Sequence, residues 1–146
     1  MSYFSSMKIS ASALNAQRIR MNLLSTNLAN VQTTRTPDGG PYKRQDAVFS
    51  AVPMDNSFEA MLDEDWGTQL QKVQVVEIHT DKNAPREAFD PGHPDADKNG
   101  IVKMPNIQVM TEMVNMIAAT RAFEANTTAL NAAKGMAGKA LEIGRG

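Results

Sequence analysis

Apolar residues recur every seven positions at the two ends of this chain, and the middle lacks that period. At the amino end Met7, Leu14, Met21 and Leu28 form one series, with Leu24 and Val31 on its adjoining edge. Ala11, Ala13, Ala16 and Ala29 add helix propensity between them. The pattern predicts a helix over residues 5–32, with the heptad spacing of a left-handed coiled-coil seam. Thr33-Thr34-Arg35-Thr36-Pro37-Asp38-Gly39-Gly40-Pro41 follows. β-Branched residues, proline and paired glycines all oppose helix, so the helix should stop there.

At the carboxyl end Val109, Met116, Phe123, Leu130 and Ala137 make a second series of the same period. It predicts a longer helix over residues 105–142. Met113, Ile117 and Leu141 widen the stripe, and Ala119, Ala133 and Ala140 line its other edge, where a partner helix could come close. Asn106, after Pro105, is the expected N-cap, and Gly144 the expected stop. Gly135 and Gly138 weaken the helix, each by up to about 1 kcal/mol relative to Ala.

Between the helices, Tyr42–Val52 and Leu70–Thr80 are alternating or β-branched, notably at Val73, Val75, Val76 and Ile78, and predict two strands. Pro53–Thr68 reads as a polar loop with one helical turn at Phe58–Leu62. Asp81–Gly100 reads as charged and turn-rich. The expected class is therefore α+β. Residues 1–32 and 105–146 form a coiled-coil-like, discontinuous helical domain, and residues 33–104 a β-rich insert.

Two remote helices can pair antiparallel and leave the insert outside. Such a pair has an apolar stripe and only one partner to bury it. One reading is that the helices are frayed in the free chain and become ordered on neighbouring subunits. The other is an intramolecular helical hairpin supporting a small sheet. Periodicity does not choose between them.

Composition narrows the function. The net charge of -1 comes with interspersed signs, which argues against nucleic-acid binding. The absence of cysteine removes disulfides, thiolate metal sites and a thiol nucleophile. Aromatics are only 5% while there are ten Met, so packing leans on a residue that tolerates more than one environment. No signal-peptide-like or membrane-spanning stretch is expected.

Candidate chemistry is sparse. Asp95-Ala96-Asp97-Lys98-Asn99-Gly100 fits the first half of an EF-hand loop, which would take Ca²⁺ through Asp95, Asp97 and Asn99. The twelfth position falls on Asn106, which lacks the bidentate carboxylate, and Pro91, Gly92 and Pro94 deny the incoming helix. A polar turn is the plainer reading. His79 and His93 could serve as zinc ligands or as the base of a hydrolase, but no ligand or catalytic spacing accompanies them. The expectation is no catalytic residue, no metal and no cofactor. Gln17, Arg18, Arg20, Arg121 and Glu124 suit a solvated face. Glu112 and Asn126 border the apolar stripe, where polar groups can fix register and partner choice.

Ser25-Thr26-Asn27-Leu28-Ala29-Asn30-Val31-Gln32-Thr33 resembles the S-x-N-[LIV]-A-N-x-x-T signature of the flagellar rod and hook axial protein family. Ala13–Asn22 ahead of it and Gly39-Gly40-Pro41-Tyr42-Lys43-Arg44 after it are similar to a proximal-rod branch of that family. So is Asp90-Pro91-Gly92-His93-Pro94-Asp95-Ala96-Asp97 followed by Gly100-Ile101-Val102, with Ile101 where Tyr is usual. Glu112-Met113, Arg121–Asn126 and Lys139–Arg145 resemble the family's C-terminal helix. The resemblance covers nearly the whole chain outside residues 53–72.

It implies a structural subunit of the basal-body proximal rod, which crosses the periplasm as a drive shaft, encloses the export channel and performs no catalysis. It implies export from the cytoplasm through the flagellar type III apparatus without a cleaved signal. The implied partners are further copies of the chain, the rod proteins FlgB, FlgF and FlgG, the FliE adapter, the MS ring and the type III export apparatus. The nearest alternative is another axial subunit of FlgB type. The expected assembly interface comprises Met7, Leu14, Met21, Leu24, Asn27, Leu28 and Asn30 from the first helix. From the second it takes Val109, Met113, Met116, Phe123, Asn126, Leu130 and Leu141. The turn after Asn30, with Thr33 and Thr36, should fix where the chain leaves the helix.

Overall fold

The computed structural model describes residues 3–54 and 70–144. Two long helices, α1 (Tyr3–Ala29) and α2 (Val109–Ile143), flank four strands: β1 (Gln45–Pro53), β2 (Gln71–Thr80), β3 (Arg86–Phe89) and β4 (Ile101–Met104). This is the α+β arrangement expected from the sequence. The helical turn expected at Phe58–Leu62 lies outside the described residues.

The helices pack antiparallel. Asn27 near the end of α1 reaches Glu112 in the first turn of α2, and Thr120, about two turns further on, sits against Met21. The residues α2 buries are Glu112, Ala119 and Ala133, spaced seven or fourteen apart. α1 buries Ser10, Ala16, Leu24 and Asn27, with Asn27 against Glu112 and Ala16 also beside β2. Small side chains there let the two backbones approach, and one large residue, Leu24, fills the remaining space.

The helix pair therefore meets on the small-residue edge. The large apolar series beside it is only partly covered at Met116, Phe123 and Leu130, and Val109, Met113 and Leu141 are exposed. A stripe of Met110, Met113, Val114 and Ile117 faces directly away from α1, since about 100° per residue puts it opposite Glu112 and Ala119.

β1 and β2 form an antiparallel hairpin laid along α1. Val48 pairs with Glu77 and Phe49 with Val75, so Val76 is an extra bulged residue. Val73 N–H donates to Ser12 Oγ at 3.2 Å, and the Arg20 guanidinium lies 6.0 Å over the Phe49 ring. A two-stranded sheet is marginal alone, and α1 supplies its support.

β3 and β4 form a second antiparallel hairpin, and β3 lies within Asp81–Gly100, the stretch expected to be charged and turn-rich. Each strand has four residues, too few for alternation to register as a pattern. Asp90–Gly100 connects them. Asp97 Oδ1 accepts from Asn99 N–H and Ile101 N–H, and Asp90 Oδ1 from Gly92 N–H. Gly100 sits at φ +76, where a Cβ would lie 3.0 Å from both the Phe89 ring and Pro91. Val102 and Pro105 are fully buried behind it.

Several boundaries differ from those expected. α1 stops at Ala29 rather than 32, because Asn30 turns its side chain back to Thr26 O. α2 begins at Val109, and its N-cap is Gln108, not Asn106. Pro105 and Ile107 are buried against the rest of the fold, which keeps Asn106 extended and delays the helix. Gly144 does end α2, but in a right-handed conformation.

Candidate functional site

The last turn of α1, the first residues of β1 and the first turn of α2 converge on one polar cluster. Asn27 is completely buried, yet every hydrogen-bonding position of its amide is filled. Its Nδ2 donates to Gln45 O at 2.8 Å and to Glu112 Oε2 at 3.1 Å. Its Oδ1 accepts from Gln45 N–H at 3.0 Å and from the Tyr42 hydroxyl at 3.1 Å. Asn27 thus offers Gln45 the donor–acceptor pair that a neighbouring strand would. The amide orientation follows, since Gln45 N–H needs an oxygen and Gln45 C=O a nitrogen.

Glu112 is only 1% exposed. Arg44 Nε donates to its Oε1 at 2.6 Å, while the Arg44 terminal nitrogens bridge to Asp46 Oδ2 at 3.3 Å. A buried carboxylate needs this compensation, because its desolvation cost exceeds what one neutral hydrogen bond returns. Its place in the first turn adds the helix dipole. Burial works against the charge on Arg44, but the hydrogen bonds and charges of Glu112 and Asp46 outweigh it and push the guanidinium pKa up. Burial, helped by the Glu112 charge, also pushes the Tyr42 phenol up, keeping it a neutral donor.

The cluster is built to hold elements together. The pocket beside Tyr42 and Arg44 is small, about 90 Å³. Asn30 extends the junction: it accepts from the Thr33 hydroxyl at 3.1 Å, and Thr33 O receives Tyr42 N–H at 3.0 Å. Thr36 Oγ1 and N–H both bond Gly40 O, closing the turn that brings Tyr42 back to α1.

Of the interface residues expected from sequence, Leu24 and Asn27 are buried in the chain itself. Met7, Leu14, Met21, Leu28, Asn30, Met116, Phe123, Asn126 and Leu130 are half-buried. Asn126 does not reach across to α1. Its Nδ2 donates to Ala122 O of its own helix at 2.8 Å.

The candidate Ca²⁺ ligands Asp95 and Asp97 face the chain's own donors: Asp95 Oδ2 accepts from the Thr34 hydroxyl at 2.7 Å, and Asp97 is held as described. Among the described residues no three acidic or histidine side chains come together as a metal site. His79 stands on β2 opposite Asp46, and His93 in the β3–β4 connection accepts Asp95 N–H.

Sequence reasoning missed Tyr42, Arg44 and Asp46 as site residues. One signal was present. Glu112 shares a seven-residue row with Ala119 and Ala133, and a carboxylate in a row of contact alanines requires a buried cation nearby.

Residues 7–35 match the family described as "Flagella basal body rod protein". Residues 98–143 match "Flagellar basal body rod FlgEFG protein C-terminal". The two matches cover the two arms of the helix pair. The chain is 43% identical to the flagellar basal-body rod protein FlgC of Borreliella burgdorferi, over the full length of both. It is 41% identical to FlgC of Bacillus subtilis, covering 99% of this chain and all of the relative. To FlgC of Salmonella typhimurium it is 37% identical over 94% of each.

Proposed function

This chain belongs to the FlgC family of flagellar basal-body rod proteins, and from that premise we propose how its fold serves a rod. It is a structural rod subunit of the flagellar basal body that assembles with other rod components. In the proposal, the proximal rod crosses the periplasm, encloses the export channel and carries torque. The chain reaches it through the type III export apparatus without a cleaved signal. Its neighbours there are FlgB, FlgF, FlgG, FliE and the MS ring.

One observation carries this reading: the two ends of the chain close into a single antiparallel pair whose larger apolar row stays only partly covered. A helix with opposed contact faces suits a multilayered tube wall. Residues 1–32 and 105–146 serve as the wall, and residues 33–104 as the outward insert. The half-covered Met7, Leu14, Met21, Leu28, Phe123 and Leu130 and the exposed Val109, Met113 and Leu141 become buried on assembly. The Asn27–Glu112–Arg44 cluster joins insert to wall, so that load on one is borne by the other.

The test is deletion of the gene followed by imaging of basal bodies. The expected result is basal bodies without rods, restored by the plasmid-borne gene. Intact rods in the deletion strain would end this reading.

A further inference from the structure

The β1–β2 hairpin is a sheet of two strands, so each strand has one edge without a neighbour in the sheet. In an antiparallel pair, residues alternate between those whose backbone groups face the partner strand and those whose groups face outward. Gln45 turns its N–H and C=O to the Asn27 amide, and Val73 turns its N–H to Ser12 Oγ at 3.2 Å. Gln45 pairs with Thr80, and Val73 with Ala51. The odd-numbered residues of β1 therefore face outward. On β2 Val73 does so before the bulge, and Ile78, paired with Ala47, beyond it.

α1 meets both edges. Ser12 and Asn27 are 15 positions apart, about 22 Å along the helix axis, and the stretch from Gln45 to Ala51 spans about 20 Å of strand. Helix and hairpin are thus matched in length, and one α1 side chain stands at an outward position of each strand. Ser12 Oγ donates its own hydrogen to Ile9 O at 2.7 Å, which leaves its lone pairs for Val73. Other outward positions are blunted locally. Ala47 N–H goes to Asp46 Oδ1 at 2.9 Å, Pro53 has no N–H, and the Val76 bulge interrupts β2. Past the bulge Val76 and Ile78 are 57% and 49% exposed, an apolar edge too short to hold another strand by itself.

We propose that α1 is an edge strap for the hairpin. Asn27 and Ser12 occupy outward positions that a strand of a second copy would otherwise take. With Ser12 on Val73, the open edge of β2 ends at the bulge. Once α1 comes away, the edge runs on from Ile78 through Val73, long enough for strand addition between copies. The strap is a property of the single chain and does not depend on the rod reading.

The test compares the full-length Ser12→Ala and Ser12→Thr variants. Open space of about 370 Å³ beside Ser12, Lys72 and Gln74 leaves room for the added methyl of Thr, whose hydroxyl keeps the bond. In Ser12→Ala, amide hydrogen exchange at Val73 should be about fivefold faster, with Ala47 unchanged. Oligomers with intermolecular β-sheet infrared absorption should accumulate about fivefold faster, in proportion to the opened edge. Ala is a better helix former than Ser, so a looser α1 would not explain the gain. Ser12→Thr should match the natural chain in both readouts. Adding Ile78→Lys to Ser12→Ala places a charge on the exposed edge and should suppress the oligomers while exchange at Val73 stays fast. Unchanged exchange at Val73 in Ser12→Ala, oligomers that form equally in Ser12→Thr, or oligomers that persist with Ile78→Lys would each overturn the strap.

Discussion

The Asn27 side-chain amide donates to Glu112 Oε2 at 3.1 Å across 85 positions of chain, and this bond ties the end of one terminal helix to the start of the other. Arg44 reaches the second oxygen of the same carboxylate from the insert. Three segments with no sequence proximity are therefore fixed by one buried charge.

Removing that charge should cost more than any other single polar change at the junction. Glu112→Ala strands Arg44 and opens one Asn27 donor, and the expected loss is about 3 kcal/mol. Glu112→Gln keeps a hydrogen-bonding group and should lose less. Urea unfolding of the two variants measures both, and equal midpoints for Glu112→Ala and the natural chain would refute the lock.

Tyr42 makes alkaline stability a further readout. Its folded pKa is raised, first by burial and then by the Glu112 charge. The folded state therefore holds its proton where the unfolded chain, near pH 10, has released it. Its contribution is complete below that value and is lost as pH rises through the folded pKa. Tyr42→Phe should abolish this alkaline decline. At neutral pH it should cost about 1 kcal/mol, because Asn27 Oδ1 keeps Gln45 N–H. Unfolding curves at successive pH values, with ultraviolet titration of the phenol, test both parts.

Two glycines should respond in opposite directions. Gly100→Ala forces a side chain onto a left-handed backbone and against Phe89 and Pro91 at 3.0 Å, so it should destabilise by more than about 1 kcal/mol. Gly135 lies within α2 with nothing within 4 Å of an added Cβ. Gly135→Ala should stabilise by up to about 1 kcal/mol and raise helicity by circular dichroism.

Asn30→Ala removes the bonds to Thr26 O and the Thr33 hydroxyl that turn the chain out of α1. The expected local loss is about 1 kcal/mol. Export of the variant should be near normal while rod assembly falls, read by secretion assays beside swimming motility. Unimpaired motility would show that this turn is dispensable.

Asn126→Leu replaces a half-buried amide that, among the described residues, bonds only its own helix. Thermal unfolding should rise by a few degrees, and assembly in cells should become less selective. An unchanged product would remove Asn126 from the interface.

The heptad series at each end and the β-branched runs between them were enough to place two terminal helices and two of the strands. Those signals are local, set by periods of 3.6 and 2 within one segment. β3 and β4 escaped because four residues carry too little alternation. The sequence also showed two rows of period seven on the second helix, one large and apolar, the other Glu112, Ala119, Asn126 and Ala133. Period alone does not say which row meets α1, since both recur identically. Packing decided it. Backbones come closest where side chains are smallest, so the alanine row went inward and the methionines and valines were left outside. The meeting of Asn27, Arg44 and Glu112 was likewise beyond local pattern, because a charge partner drawn from 68 or 85 positions away exists only once the fold has closed.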